Sequence, residues 1–177
     1  MSYRPPPSGH IVQARTDSLL SVILMKIRSL VVVAGLFVLT GCGGTMPMLG
    51  TDSEKLQPCP GTPNCVSSQA MDEEHFIEPI MVSASAAETR DIILNVLDEL
   101  DRVKVTETQP DYIRAEFTSL IFRFVDDVEF YFPTSESGVV RVDIRSASRV
   151  GRSDLGVNRK RMEIIRQKIG EAGKSQN

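Results

Sequence analysis

The chain has 177 residues, of which 41% are hydrophobic and 24% charged, and its formal net charge is −3 at pH 7. The residues after Cys42 include 16 Lys and Arg against 22 Asp and Glu. This acidic balance argues against nucleic acid as a partner, since phosphate binding needs concentrated cations.

Residues 25–42 have the parts of a bacterial lipoprotein signal. Met25 is followed by two cations, an apolar run and the sequence Leu-Thr-Gly-Cys, which ends at Cys42. The apolar run is well below the roughly 20 residues that a membrane-spanning helix needs, and such a length is typical of a cleavable signal. We therefore predict a signal peptide over residues 25–41 and a lipid anchor on Cys42 that attaches the protein to a membrane.

The residues around this signal predict its start and its destination. Residues 1–24 contain three consecutive prolines and an acidic Asp17, which are unusual before an export signal, so we interpret them as a non-native extension and Met25 as the start. A long n-region is the alternative. The residue after Cys42 is Gly43 and not Asp. The similarity to Gram-negative sorting signals therefore implies that the protein is released to the outer membrane, where it faces the periplasm.

Cys59 and Cys65 remain as a pair once Cys42 carries lipid. The envelope permits disulfides, and the intervening Pro-Gly-Thr-Pro-Asn is turn-forming throughout, so the two thiols can come within bridging distance. We predict a disulfide between them. The alternative is a metal site that includes His75, but two thiols and one histidine without a second motif are a weak ligand set. We predict no metal and no cofactor.

The chain after Cys42 divides into a tether, a domain and a tail. Residues 42–57 are rich in Gly, Thr, Met and Pro, which predicts a flexible lipidated tether. Residues 58–172 are globular in composition and long enough to bury one core, and residues 173–177 are predicted to be a disordered tail. Within the domain, Ser85 and Glu88 form a capping box, and the apolar spacing that follows predicts a helix to about Leu100.

Alternating apolar residues predict strands after this helix, around Val103, over 112–117, within 120–132 and over 139–149. The last two strands are joined by a turn and form a hairpin. A final helix is predicted from Ser153 or Asp154 to about Ile169. This order predicts a single α+β domain in which an N-terminal and a C-terminal helix flank an antiparallel sheet of about four to five strands.

The polar residues near the end of this layout form the candidate site. Ser146 and Ser148 share a strand face with apolar residues, and Asn158 falls on the apolar stripe of the last helix. Buried polar groups need hydrogen-bond partners, and sequences usually break such patterns at sites of function or strain. The candidate binding residues are Asp126, Asp127, Arg145, Ser146, Ser148, Arg149, Ser153, Asp154, Asn158 and Arg159.

Four segments occur in order along the domain: Cys-Pro-Gly-Thr-Pro-Asn-Cys-Val-Ser-Ser at 59–68, Phe-Val-Asp-Asp-Val-Glu-Phe at 124–130, Arg-Ser-Ala-Ser-Arg-Val-Gly at 145–151 and Ser-Asp-Leu-Gly-Val-Asn-Arg at 153–159. They resemble the marker segments of the domain-of-unknown-function family numbered 1499. With the intervening helix, the resemblance covers nearly all of residues 58–169. It implies a fold family of bacterial envelopes and plastids, and it implies no reaction, substrate or catalytic residue.

Three classes of function fit these residues. The first is a noncatalytic module that binds an envelope protein or a small anionic or polar ligand, because arginines such as Arg145 and Arg149 suit a carboxylate or phosphate. The alternative is an envelope hydrolase or metal-dependent enzyme that uses Asp126, Asp127 and Glu129 with the Arg and Ser residues, although no nucleophile elbow or metal signature supports it. In a purely structural protein, the same charges form cross-strand pairs that contribute a few tenths of a kcal/mol each.

Overall fold

The computed structural model describes residues 44–53, 55–133 and 138–174. Its strands are β1 (Thr51–Asp52), β2 (Lys55–Leu56), β3 (Cys65–Ser67), β4 (Ile80–Val82), β5 (Val103–Thr108), β6 (Tyr112–Thr118), β7 (Val125–Tyr131) and β8 (Val140–Ser148), and its helices are α1 (Ala86–Asp98) and α2 (Val157–Lys174). Within these residues, no helix is long and apolar enough to cross a membrane. The predicted extension, the signal peptide and Cys42 lie outside the described residues.

A six-stranded antiparallel sheet forms the centre of the fold. Its strand order is β3-β8-β7-β6-β5, and β4 also pairs with β8. The sheet and the two helices confirm the predicted α+β class. The sheet is slightly larger than predicted because β3 and β4 have three residues each. Strands this short carry no clear alternation in the sequence.

Helix α1 begins where the sequence predicts it. Ser85 Oγ accepts a hydrogen bond from the Glu88 amide at 3.2 Å, and the Glu88 carboxylate accepts one from the Ser85 amide at 2.8 Å. These hydrogen bonds hold the pKa of Glu88 below its usual value. The two bonds satisfy amides that have no partner within the helix, so the capping box fixes the start of the helix.

Helix α2 begins later than predicted. Its start was expected at Ser153 or Asp154, but Leu155 and Gly156 have φ angles of 55° and 79°, and this left-handed backbone cannot continue a right-handed helix. Asp154 acts from outside the first turn, where its Oδ2 accepts a hydrogen bond from the Asn158 amide at 2.7 Å. The side chain therefore caps the helix without belonging to it.

Helix α2 also extends beyond its predicted end at Ile169, to Lys174. Ile169 is buried, so the packed face of the helix reaches this turn and supports the next one. The Arg166 side chain holds the same part of the helix through a 2.7 Å hydrogen bond to the Pro79 carbonyl. The first residues of the predicted tail are therefore helical, and residues 175–177 lie outside the described part of the chain.

The two helices cover one face of the sheet. Alternate residues of the central strands point to this face, and Val128, Phe130, Val142 and Ile144 are all fully buried. They join residues of both helices in one apolar cluster, which includes Ile92, Ile93, Val96, Leu97, Met162, Ile165 and Ile169. This core fixes the position of β8, which carries the candidate residues Arg145, Ser146 and Ser148.

The opposite face of the sheet is polar, and residues 44–53 and 55–57, here called the N-terminal segment, lie against it. Leu56 packs with Tyr112 and Tyr131 in a second apolar cluster, and the Gly50 amide donates to Glu129 Oε1 at 3.3 Å. The sequence predicted a flexible tether over 42–57, but its described residues contact the sheet. Composition gave no sign of this contact, because it is made by the Leu56 side chain and by backbone amides that donate to the side chains of Glu129 and Gln69.

Candidate functional site: two polar clusters and a cavity

Polar side chains gather on both faces of the sheet near the end of β8. Successive residues of a strand point to opposite faces, so neighbours such as Asp126 and Asp127 lie on different sides. The helix-side cluster consists of Asn64, Asp126, Ser146, Ser148, Asn158 and Arg161. The polar-face network consists of Tyr112, Arg114, Glu116, Asp127, Glu129, Arg145 and Arg149. The candidate residues are therefore divided between two environments.

The helix-side cluster is closed by its own hydrogen bonds. Ser146 Oγ donates to Asn158 Oδ1 at 2.5 Å, and Asn158 Nδ2 donates at 3.0 Å to both Ser148 Oγ and the Asn64 carbonyl. Ser146 and Asn158 are both fully buried. The buried polar groups that broke the sequence pattern thus satisfy one another and tie β8 to α2 and to the loop before β3.

Arg161 completes this cluster from the next turn of α2. Its Nη2 donates to Asp126 Oδ2 at 2.5 Å and its Nη1 donates to Ser146 Oγ at 3.1 Å. The guanidinium carbon lies 4.8 Å from the centre of the Phe117 ring, a cation–π distance. Every charged group of the cluster therefore has an internal partner.

Asp127 is the centre of the polar-face network. Arg114 Nη2 donates to its Oδ1 at 2.7 Å, and Arg149 Nε donates to its Oδ2 at 2.7 Å. Arg149 also reaches Glu116 Oε1. Burial by itself raises the pKa of Asp127, but the hydrogen bonds from Arg149 and Arg114 outweigh it and hold this pKa below its usual value. The carboxylate is therefore charged and fully paired.

Glu129 is the second buried acid of the network, and it is fully buried. Its Oε2 accepts from Arg145 Nη1 at 3.0 Å, and its Oε1 accepts from the Tyr112 hydroxyl at 2.8 Å. Burial, followed by the charge of Glu129, raises the pKa of Tyr112 far above its usual value. The phenol therefore stays protonated and serves as a hydrogen-bond donor.

Arg145 carries a buried donor that has no partner among the described residues. Its side chain is 7% exposed, and its Nε has no hydrogen-bond partner within the described residues. Leaving a buried donor unpaired costs about 1–3 kcal/mol. Native proteins rarely keep such groups without a structural or functional reason.

Arg145 lines a cavity of about 410 Å³ at this end of the polar face. Asp127 and Arg149 line it from the sheet side, and Thr45 and Pro47 of the N-terminal segment line it from the other side. The loop around Cys59 contributes a further wall. Two cations and one anion therefore face a space in the usual size range of a small-molecule site.

A larger cavity of about 720 Å³ lies elsewhere on the same face and includes Arg141 and Asp143. Arg141 Nη2 donates to Asp143 Oδ1 at 2.8 Å. Asp143 also accepts from Ser68 and Gln69, at 2.8 and 3.1 Å. Arg141 and Asp143 thus have the partners that Arg145 Nε lacks, so this cavity is the weaker candidate.

The structure does not bring the ten predicted binding residues together. Asp127, Arg145, Ser148 and Arg149 line the smaller cavity, whereas Asp126, Ser146 and Asn158 belong to the helix-side cluster. Of the remaining residues, Ser153 is exposed, Asp154 caps α2 by accepting from the Asn158 amide, and Arg159 donates to the carbonyls of Glu74 and Phe76.

Sequence reasoning missed Tyr112, Arg114 and Glu116 as members of the network. Their alternation with apolar neighbours was correctly assigned to a strand, but alternate polar residues were expected to face water. Tyr112 and Arg114 are in fact buried. The signal that could have identified them is their pairing with β7, which places Arg114 opposite Glu129 and Glu116 opposite Asp127.

The disulfide between Cys59 and Cys65 is confirmed, with a Cα–Cα distance of 5.7 Å. His75, the alternative metal ligand, bonds instead to Asp72 Oδ1 through Nδ1 at 2.6 Å and to the Thr62 carbonyl through Nε2 at 3.1 Å. Among the described residues, no group of three or more His, Cys, Asp and Glu is placed to hold a metal ion. The disulfide and His75 together shape the loop that walls the cavity.

Comparisons with known proteins identify a family but no activity. Among solved structures, the chain is similar to the crystal structure of TTHA0849 from Thermus thermophilus, with 11% identity over 63% of this chain and 92% of that chain and a TM-score of 0.29, a score too low to support an argument. No curated protein matches significantly. The family model described as protein of unknown function (DUF1499) matches residues 55–169. The chain therefore belongs to the DUF1499 family.

Proposed function

We propose that the protein is a cell-envelope lipoprotein, held at the periplasmic face of the outer membrane by an acylated Cys42, whose domain binds a small anionic ligand without catalysis. The signal over residues 25–41 and the small residues before Cys42 support the anchor. The ligand site is the 410 Å³ cavity between the N-terminal segment and the polar face.

The unpaired Nε of Arg145 carries the proposal for the ligand. Arg145 lines the cavity, and its Nε lacks a protein acceptor in the described part of the chain and is closed to water. An acceptor supplied by a ligand in the cavity would satisfy this donor after a small shift of the side chain. Arg145 and Arg149 line the cavity, and their charges are balanced by Glu129, Asp127 and Glu116. The free donor nevertheless belongs to a guanidinium group, and its hydrogen bond to a carboxylate or a phosphate is stronger than its hydrogen bond to a neutral acceptor.

The carboxylates offered for the enzyme alternative are better explained as structural groups. Asp126 is paired with Arg161, Asp127 with Arg114 and Arg149, and Glu129 with Arg145. A general acid or base needs a proton that moves at the working pH, whereas the hydrogen bonds from Arg149 and Arg114 hold the pKa of Asp127 below its usual value. This pairing favours binding over hydrolysis.

Ligand binding is tested by thermal unfolding of the purified domain in the presence of inorganic phosphate, glycerol phosphate or succinate. A bound anion present at about 100 times its Kd stabilises the folded state by about 2.7 kcal/mol. Arg145→Lys keeps the charge that pairs with Glu129 but removes Nε, so it is expected to abolish this stabilisation. Arg141→Lys changes the same residue type on the same strand outside the cavity, and it should respond as the wild type does.

Two results would overturn the ligand proposal. One is that none of the three anions stabilises the wild-type protein. The other is that Arg145→Lys is stabilised by the same anion as strongly as Arg141→Lys is. Either result would leave the cavity without a role in binding an anion.

The anchor has a separate test. Intact-mass analysis of the protein from a membrane fraction is expected to give a chain that begins at Cys42 and carries acyl groups. Cys42→Ser is expected to remain unprocessed and unacylated. A Cys42→Ser protein that is still cleaved at residue 42 and still sediments with outer membranes would overturn this part of the proposal.

A further inference from the structure

The loop between β6 and β7 exposes a run of large apolar side chains. Leu120, Ile121 and Phe122 are 69%, 78% and 67% exposed, and the next aromatic residue, Phe124, is 39% exposed. The rings of Phe122 and Phe124 stack on each other with centroids 5.5 Å apart. Proteins rarely leave contiguous apolar residues of this size in water unless the surface contacts something.

The loop has a defined structure. The Ser119 amide donates to the Phe124 carbonyl at 2.8 Å, and the Phe124 amide donates to Ser119 Oγ at 2.8 Å. Arg123 has a φ of 56°, the left-handed conformation that tight turns use. These bonds present the apolar side chains on a closed turn whose cation, Arg123, is also exposed.

The loop lies at the same end of the sheet as the start of the described chain. A Cβ placed on Gly44 would be 2.7 Å from Arg149 Cβ, so these two backbones are in close contact. The Arg149 amide in turn donates to the Val125 carbonyl at 3.1 Å, and Val125 directly follows the loop. Cys42 precedes Gly44 by two residues, a separation that spans at most about 7 Å of extended chain.

We propose that the loop 119–124 contacts the lipid bilayer to which Cys42 is anchored; this rests on the proposed lipid anchor and does not depend on the ligand. An acyl chain that leaves the protein beside Gly44 brings the membrane surface to this end of the sheet. Exposed Leu155, in the connection from β8 to α2 that follows Arg149, adds to the apolar surface at the same end.

The composition of the loop suits an interface between lipid and water. Leu, Ile and Phe side chains bury apolar area at the boundary between headgroups and acyl chains, about 5–10 Å into the lipid layer. Arg123 can extend its charge toward the headgroups while its stem remains among apolar groups. The lipid anchor supplies the affinity for the membrane, and the loop sets the orientation of the domain.

Single tryptophans test this orientation, because the chain contains none. The full acylated protein carrying Phe122→Trp is reconstituted into vesicles of phosphatidylethanolamine and phosphatidylglycerol, with and without brominated acyl chains. Leu120→Trp serves as a second reporter in the loop. Met81→Trp is the matched control, because Met81 is 60% exposed and pairs with Arg141 near the opposite end of β8.

The tryptophan at position 122 or 120 is expected to emit at shorter wavelength on the vesicles and to be quenched by the brominated lipid, while the tryptophan at position 81 keeps its aqueous emission. If the protein is acylated and floats with the vesicles but neither loop reporter is quenched, the loop does not contact the bilayer, although the anchor stands. Equal quenching of loop and control reporters would also overturn the inference, because the domain would then have no fixed orientation. An unacylated protein that does not float would overturn the anchor and this inference together.

Discussion

The ion pair between Arg145 and Glu129 provides a sharp test of how the polar face is stabilised. Glu129 is 0% exposed and Arg145 is 6% exposed, so removing one partner leaves the other as a buried charge without compensation. In that situation the free energy of unfolding falls by about 3–5 kcal/mol. This is a large share of the roughly 5–15 kcal/mol that keeps a domain folded. We therefore expect Arg145→Met to lose stability in this range.

A double variant separates the effect of charge from that of packing. Arg145→Met combined with Glu129→Gln removes both charges, and the glutamine can still accept the hydrogen bond that Tyr112 donates at 2.8 Å. Replacing both members of a buried ion pair with neutral groups is often neutral or stabilising. The double variant is therefore expected to recover most of the stability that Arg145→Met loses, as measured by urea unfolding followed by circular dichroism.

Arg141→Met is the control for this cycle. Arg141 lies on the same strand and the same face and pairs with Asp143, but its side chain is 52% exposed, so we expect a loss of less than about 1 kcal/mol. Two results would contradict the reasoning. One is that Arg141→Met and Arg145→Met lose equal amounts of stability. The other is that the double variant loses as much stability as Arg145→Met and Glu129→Gln, each measured alone, lose together. Additive losses would mean that the two charges do not interact.

Asn158→Ala removes the amide that links Ser148 to the Asn64 carbonyl, and in urea unfolding it should lower the free energy of unfolding by about 1–3 kcal/mol; an unchanged midpoint would show that the helix-side cluster is not structural. Reduction of the disulfide should cost about 2 kcal/mol, and a melting temperature that reductant leaves unchanged would refute this. Burial by itself lowers the pKa of His75, but its hydrogen bonds to Asp72 and to a backbone carbonyl outweigh burial and raise this pKa. The stability that the His75–Asp72 pair contributes is therefore complete below about pH 6.5, and it is lost as the pH rises through the raised pKa. Melting temperatures at pH 6 and pH 8 should differ less in Asp72→Asn than in the wild type, and an equal difference would refute the assignment.

The parts of the fold that the sequence predicts well are those with local signals. The capping box of Ser85 and Glu88 marks the start of α1 within the chain itself, and the alternation along β6, β7 and β8 repeats over seven to nine residues. By contrast, β3 depends on pairing Cys65 with Ala147, far away in the sequence. Three residues without a repeating pattern cannot reveal such a partner.

The candidate site was predicted less well than the fold, for a physical reason. Broken patterning correctly marked Ser146 and Asn158 as buried polar residues, but it could not tell a site from a group of mutually satisfied hydrogen bonds. Alternation also assigns every second residue to water unless something covers it. The cover is the N-terminal segment, whose contacts with Glu129 and Tyr112 are made by the Gly50 amide and the Leu56 side chain. Neither produces a periodic signal.

The two faces of the sheet have different consequences for the segments that cover them. The helix side is apolar, so lifting a helix from it would expose buried hydrocarbon to water at about 25 cal/mol per Å². The polar face carries paired charges, which water can solvate, and the described residues 44–57 are held there by few apolar contacts. Buried ion pairs add little net stability compared with apolar packing. Less free energy is therefore needed to separate the N-terminal segment from a charged face than from an apolar one. This segment both lines the cavity and connects the domain to Cys42.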